Sequence, residues 1–285
     1  MKKAIIVPNK TKDCDLVVTR NTVRELLKID ITPYVDREFG HLGIDGVTFY
    51  SELPTDADVI IVVGGDGSII DASSIALMLD IPILGVNLGR VGYLSEIEPT
   101  NLARLSTLAD GTYTVEERML ISCERFSADG VLLSHSNPAV NDIVVSHKEY
   151  FGIGEMRVTD SHGDFVKYRA DGVITSTPTG STAYSLSAGG PIVAHYLEAI
   201  TVTPVCPHSF FNRAIVFGAD ECITVTNVSV SALNISVDGR YFDTLESGEY
   251  IRISKCDKNL RIITFNENNM FSTLSVKIKT LEGTL

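Results

Sequence analysis

Val59–Ile70 reads VIIVVGGDGSII: five apolar residues run straight into Gly64-Gly65-Asp66-Gly67-Ser68, and a second apolar run follows. The first run has no polar member, which fits a strand buried on both faces of a parallel sheet. The second run, SIIDASSIALML, has helical character, with Ser68 placed as its expected N-cap. IPILGVN then reads as another buried strand. Strand, helix and strand in sequence make a βαβ unit, and that unit decides the class of the first domain.

Outward from this unit, KAIIVP is a short buried strand, and Val23, Leu26 and Leu27 predict a helix over 20–29, stopped before Pro33. GVTFY is a further strand. After Gly111 the texture changes. ITVTNV and LNISVDG alternate apolar with polar residues, as half-buried strands do. EMRVTDSHGDFVKY reads as a hairpin turning at Ser161 to Asp164. The expected organisation is an α/β domain with a parallel sheet over 1–117 and a β-rich, sandwich-like domain over 118–265. A more helical C-terminal segment, 266–285, is expected to pack back on the first domain.

Composition narrows the function. The chain has 285 residues, 44% hydrophobic, and a net charge of −12. That charge argues against a general affinity for nucleic acid or an anionic membrane. Phosphates must then be bound by local devices: backbone N–H groups, a metal ion or a few placed cations. The N-terminal apolar run is too short for a signal peptide, and no run approaches a membrane span. Cys14, Cys123, Cys206, Cys222 and Cys256 are scattered and odd in number, which fits reduced thiols in a cytoplasmic protein. No His-x-x-x-His spacing occurs, so no protein-built zinc site is expected.

In an open α/β sheet, ligands bind beyond the carboxyl ends of the strands. The glycines there let a bulky anion approach the backbone, and the next helix points free N–H groups at the same place. A plain strand-to-helix turn explains a lone G-x-G equally well. Gly-Lys never occurs, which excludes a P-loop, and Ile70 occupies the third position of a dinucleotide fingerprint. Asp66 is the distinctive residue. A carboxylate repels phosphate, so its presence points to metal contact or to proton abstraction from a hydroxyl.

Two further stretches matter. NPAVNDIVVS sets Asn141 and Asp142 before a strand, where an Asx-turn or strand cap is the plainer reading. YRADGVITSTPTGSTAYSLSAGGP is dense in Ser, Thr and Gly. Such a loop suits ribose hydroxyls and an adenine edge. A flexible linker would have the same composition, but the flanking strand GVITS and the Gly189-Gly190-Pro191 stop argue for order.

GGDGS, GVNLGRVGYLSE, NPAVNDIVVS, YRADGVITSTPTGSTAYSLSAGGPIV and CPHSFFNRAIV together resemble the bacterial NAD kinase family, in the order found there. The likeness spans about Ile60 to Asp238 and the tail. GGDG alone is shared with phosphofructokinases and lipid kinases; the long Ser/Thr stretch is specific. The resemblance implies phosphoryl transfer from ATP or polyphosphate to the 2′-hydroxyl of the adenosine ribose of NAD. Mg²⁺ or another divalent cation would arrive with the donor, and the chain would self-associate as a homodimer or homotetramer.

By the same resemblance Asp66 is the catalytic aspartate, and Gly64, Gly65, Gly67, Ser68 and Asn87 belong to the nucleotide site. Asn141 and Asp142 hold the ribose. Arg169 and Asp171 are ligand-binding, Asp171 serving the nicotinamide end across a subunit interface. Thr182, Ala183, Tyr184 and Ser187 line the adenine and ribose. Three positions depart from the family pattern. Ser68 replaces Thr, Asp142 replaces a longer Glu, and Arg240 stands where Gln is common, either to meet a phosphate or to cover surface. Arg90, Arg169 and Arg240 are the chief cations of the matched loops, few for a sugar-phosphate kinase. A lipid kinase and a non-catalytic NAD(H) sensor are the other rivals.

Overall fold

The computed structural model describes residues 1–89, 92–148, 153–208 and 211–265. Arg90 and the expected C-terminal segment 266–285 lie outside the described residues. The described residues divide into two compact units: Met1–Glu117 with residues 260–265, and Arg118–Asn259.

The first unit is built on a seven-stranded sheet. Its strands include β1 (Lys3–Pro8), β2 (Thr32–Asp36), β3 (Thr48–Tyr50), β4 (Val59–Gly64) and β5 (Ile83–Asn87), paired in parallel in the order β3-β2-β1-β4-β5. Every residue of β4 and β5 is buried, as their unbroken apolar runs require. Val59, Ile61 and Val63 pack with Val23 and Leu26 of helix α1 (Val17–Lys28) in one core cluster. The alternate residues Ile60 and Val62 point to the other face, and helix α2 (Asp66–Leu79) packs along β4 and β5.

Helix α1 begins three residues before the spacing predicts. The Asp13 carboxylate accepts from the Val18 and Thr19 N–H groups at 3.2 and 2.8 Å and from the Thr19 hydroxyl. Those bonds satisfy donors the helix itself leaves open. Helix α2 also starts early. Gly65, extended, is its N-cap residue, and Asp66 opens the first turn, where a carboxylate suits the helix dipole. Ser68 is therefore not the cap; its hydroxyl accepts from the Asn9 amide at 2.7 Å.

One expected boundary moves. Residues 260–264, expected in the β-rich domain, form the strand Leu260–Thr264 of the first sheet, beside β5 and paired at Ile262 and Ile83. Its apolar residues cover an edge that β5 would otherwise expose.

The second unit is an antiparallel β-sandwich of two six-stranded sheets. Alternate residues of both sheets, among them Met156, Val225 and Ile251 from one and Val145, Val173 and Ile235 from the other, fill a shared core. Strands Gly154–Thr159 and Phe165–Ala170 pair antiparallel, and the Asp160 N–H donates to the Asp164 carbonyl, so the expected hairpin forms. The GVITS strand runs Gly172–Ser176 as read.

Candidate active site

In the first unit the predicted residues gather at the carboxyl edge of the parallel sheet. Gly64 sits in register with Asn87, the Leu88 N–H donates to the Gly64 carbonyl at 2.8 Å, and the Asn9 N–H donates to the Val63 carbonyl at 2.9 Å. The ends of β1, β4 and β5 thus converge on the glycine turn, bringing Gly64, Gly65, Asp66, Gly67, Ser68 and Asn87 together.

Asp66 is half-buried, and both of its oxygens are engaged. One accepts from the Tyr93 N–H at 2.8 Å and the other from the Leu94 N–H at 3.2 Å. These donors fix the carboxylate's direction and leave each oxygen with further lone pairs. Gly92 makes this grip possible, since a Cβ there would lie 2.1 Å from an Asp66 oxygen. The Asp66 charge, after burial, pushes the Tyr93 phenol upward. Neither Gly92 nor the Tyr93 and Leu94 amides were predicted from sequence; backbone donors carry no residue signature.

The glycines serve different needs. A Cβ at Gly64 would meet the Ser68 hydroxyl at 2.5 Å, and one at Gly65 would meet the Lys12 ammonium at 2.6 Å. A Cβ at Gly67 would meet nothing within 4 Å. The fold has no packing reason for Gly67, and the face beside it is open. Asn87 is buried; its amide nitrogen donates to Glu98 at 3.1 Å, and its side-chain oxygen has no partner.

A separate group of sequence-predicted residues lies in the sandwich. Asn141 and Asp142 open the strand Asp142–His147, and the Asp238 carboxylate accepts from the Val140, Asn141 and Asp142 N–H groups at 2.8, 2.7 and 3.1 Å. Asp238 and Gly239 both have positive φ, 48° and 76°, in a two-residue turn closing the Val237 and Arg240 pair. Asp-Gly was legible there as a hairpin signal; the cap it supplies to residues 140–142 was not.

Asp142 is only 4% exposed. Its carboxylate accepts no hydrogen bond among the described residues. Burial first, and then the Asp238 charge, push its pKa up to about 7. Burial also raises Asp238, against its three amide donors and Arg240.

The Ser/Thr loop is ordered, not a linker. The Thr177 hydroxyl donates to the Val140 carbonyl at 2.6 Å and accepts from the Gly180 N–H at 3.0 Å. The Ser181 hydroxyl donates to the Pro178 carbonyl and accepts from the Val193 N–H. Ser185 bonds Thr203 at 3.0 Å. Most buried hydroxyls of the loop therefore hold its own shape. Gly180 lies so close to Asn141 that a Cβ would sit 2.0 Å from its carbonyl oxygen. Thr182, Ala183, Tyr184 and Ser187 follow in two short helical turns, with Tyr184 47% exposed and Ser187 exposed.

Asp171 sits where the chain passes from one sheet to the other, between Phe165–Ala170 and Gly172–Ser176. Its carboxylate holds the Cys206 thiol up and lies 3.9 Å from His147. Tyr184 is close enough that Cys206, Asp171 and Asp142 add to the upward push of burial on its phenol. Tyr184 thus links the Asn141–Asp142 end to Asp171. Arg169 faces Glu155 across the hairpin and pairs with it at 3.5 Å. Arg240 is exposed at the start of its strand.

Among the described residues no three His, Cys, Asp or Glu side chains gather to hold a metal ion. No described helix is long and apolar enough to cross a membrane.

Comparison with known proteins gives one answer. The family model for the ATP-NAD kinase N-terminal domain matches residues 46–113, and that for the ATP-NAD kinase C-terminal domain matches 140–265. The NAD kinase of Lachnoclostridium phytofermentans is 36% identical over 283 residues, covering 97% of this chain and 99% of its own. That of Geobacter metallireducens is 38% identical over 252 residues, covering 87% and 88%. Among solved structures, yeast NADH kinase complexed with NADH aligns with a TM-score of 0.83 at 22% identity, covering 96% of this chain and 86% of that one. An NAD kinase from Archaeoglobus fulgidus in complex with ATP aligns at 0.71 and 25% identity, covering 96% and 99%.

Proposed function

The chain belongs to the NAD kinase family, and from that premise we infer that it transfers the terminal phosphoryl group of ATP to NAD, giving NADP. The acceptor is the 2′-hydroxyl of the adenosine ribose. The observation that carries the chemistry is Asp66, a half-exposed carboxylate aimed by two backbone amides in a glycine turn at a sheet's carboxyl edge.

A ribose hydroxyl is a weak nucleophile near neutral pH. Asp66 takes its proton as the oxygen attacks the phosphorus. An ordinary carboxylate is a weak base, so its value lies in orientation and late proton transfer. The Tyr93 and Leu94 amides supply that orientation without consuming the lone pair the proton needs. Gly64, Gly65 and Gly67 let the diphosphate lie against the backbone, and the first N–H groups of α2 face it. Ser68 steadies the turn through Asn9.

In the sandwich, Asp142 and Asn141 hold the ribose and Tyr184 packs against the adenine. The support for Asp142 is a buried carboxylate with no hydrogen bond from the described residues, which a ribose hydroxyl would supply. Thr182, Ala183 and Ser187 line the same pocket, Arg169 and Arg240 flank it, and Asp171 serves the nicotinamide end. A divalent ion, Mg²⁺ for instance, carried in by the nucleotide, spreads the phosphate charge when bound. The spare lone pairs of Asp66 suit an ion that keeps most of its waters.

We place the protein in the cytoplasm, since none of its five cysteines is in a disulfide. Self-association as a homodimer or homotetramer is supported by the edge strands Phe165–Ala170 and Ile215–Gly218, where Phe165 and Val216 are exposed. Native mass measurement at assay concentration tests it, and a fully active monomer refutes it. The reaction itself is tested by incubating the purified chain with NAD, ATP and Mg²⁺ and weighing the product. An added phosphoryl mass on NAD is expected. The unchanged mass of NAD sinks the reading, and replacing ATP by polyphosphate in a parallel arm defines the donor.

A further inference from the structure

The glycine turn lacks the lysine that a P-loop carries next to its last glycine. The fold brings one from elsewhere. In the order β3-β2-β1-β4-β5, the chain leaves β1 toward one side of the sheet and leaves β4 toward the other. The crevice between their carboxyl ends is the topological switch point, where open α/β sheets bind ligands. One wall is the turn at Gly64–Ser68. The other is the loop after β1, which contains Lys12.

Asn9 fastens the two walls. Its N–H donates to the Val63 carbonyl and its amide nitrogen to the Ser68 hydroxyl. Its side-chain oxygen accepts from the Thr11 and Lys12 N–H groups, both at 3.0 Å. The loop is thereby turned toward the glycines. The Lys12 ammonium comes to rest 2.6 Å from where a Cβ of Gly65 would stand and 3.3 Å from that of Gly89. It lies against the backbone of both loops that follow the central strands.

Lys12 forms no ion pair among the described residues, in a chain with a net charge of −12. Its neighbour Lys10 is the contrast. Lys10 pairs with Glu38 at 3.2 Å and lies over the Phe39 ring at 4.4 Å, which is a surface arrangement. A lysine laid against a glycine turn, unpaired with any carboxylate among the described residues and beside the N-terminus of a helix, is matched to an anion that the protein itself does not provide.

We propose that Lys12 is the cation that binds the terminal phosphates of the phosphoryl donor. The proposal rests on the kinase reading. In the transfer, the bond from the terminal phosphorus to the bridging oxygen breaks, and that oxygen leaves with the electron pair on ADP. The ribose oxygen forms the new bond to phosphorus and its proton passes to Asp66. Lys12 keeps its protons throughout and meets the charge that gathers on the leaving diphosphate.

The test is steady-state kinetics of the full chain with NAD, ATP and Mg²⁺ for Lys12→Met, Lys12→Arg and Lys10→Met. Lys12→Met is expected to lower kcat/KM for ATP by about 10²-fold, with the melting temperature and the calorimetric Kd for NAD unchanged. Lys12→Arg, which keeps the charge, should recover most of the loss, and Lys10→Met should match the wild type. An active wild type equalled within about twofold by Lys12→Met overturns the proposal alone. So does an equal loss from Lys10→Met, which would mean general charge rather than a contact. A wild type that makes no NADP overturns the kinase reading and this proposal with it.

Discussion

Asp66 and Asp142 are the same residue at two strand termini, and the fold treats them in opposite ways. Asp66 follows a parallel strand, stays half exposed, and has a backbone N–H on each oxygen. Asp142 opens an antiparallel strand, is sealed in, and receives none among the described residues, because the local amides go to Asp238 instead. One carboxylate is aimed by two amides and left partly exposed, as the proposed base requires. The other is buried beside a second carboxylate, where its charge is costly. Residue type alone says nothing of this; the distribution of backbone donors decides it.

Asp66→Asn separates the roles of the two carboxylates most clearly. A near-isosteric amide keeps the turn but loses the proton acceptor. Turnover should fall by at least ~10²-fold while NAD binding persists. Turnover within a few-fold of wild type would leave Asp66 as a mere helix-starting residue.

Two glycines carry the contrast next. In Gly92→Ala the new methyl would stand 2.1 Å from an Asp66 oxygen and push the carboxylate off its amides. A displacement on the order of 1 Å at a reacting group costs up to ~10²-fold in rate, with the melting temperature little changed. In Gly180→Ala the methyl would meet the rigid backbone of Asn141 at 2.0 Å. That is overpacking, worth about 1–3 kcal/mol of stability, and NAD affinity should fall with it. Thermal melts and kinetics on both variants check the pair. A Gly92→Ala protein that melts low yet turns over normally would reverse the assignment.

The fold class was legible because its signals are local. Continuous apolar strands, the GGDGS turn and the switch to alternating patterns each sit within a few residues of one another. What escaped is non-local. The Asp238 cap lies 96 to 98 residues from the amides it serves. Ser68 looked like a helix cap, but its hydroxyl partner is Asn9. Leu260–Thr264 is apolar enough for either domain, and periodicity cannot say which sheet a buried strand will join. Lys12 reads as one cation in a polar loop until the strand order sets it against Gly65.

Asp142 also gives the comparison a pH dependence. Its folded pKa is about 7 against an ordinary 3.8. The folded chain therefore holds a proton there over a range in which the unfolded chain has lost it. The linked stability is full below the ordinary value and is lost as pH rises through about 7. Asp238 faces Asp142 directly and is also raised, Arg240 offsets it, and Tyr184 stands nearby. Asp142→Asn removes the titrating group. Its melting temperature should gain on wild type as pH rises from about 5 to about 8. Parallel profiles for the two proteins would show that Asp142 ionises freely.

The smallest effect belongs to Tyr184. Its ring is 47% exposed and makes no ring contact among the described residues, while its neighbours Ser181 and Ser185 are buried and bonded. A half-exposed aromatic on a rigid polar turn offers a flat apolar face at little entropic cost, which suits a nucleotide base. Tyr184→Ala removes that face and disturbs no buried bond. Losing a stacking contact of about 0.5–1.5 kcal/mol weakens NAD binding by roughly 2- to 10-fold. Turnover at saturating NAD and the melting temperature should hold, because Asp66 and the loop's internal hydrogen bonds are untouched. Calorimetry separates this from a packing role. Unchanged affinity with a lowered melting temperature would make Tyr184 part of the sandwich's support and move the adenine contact elsewhere in the loop.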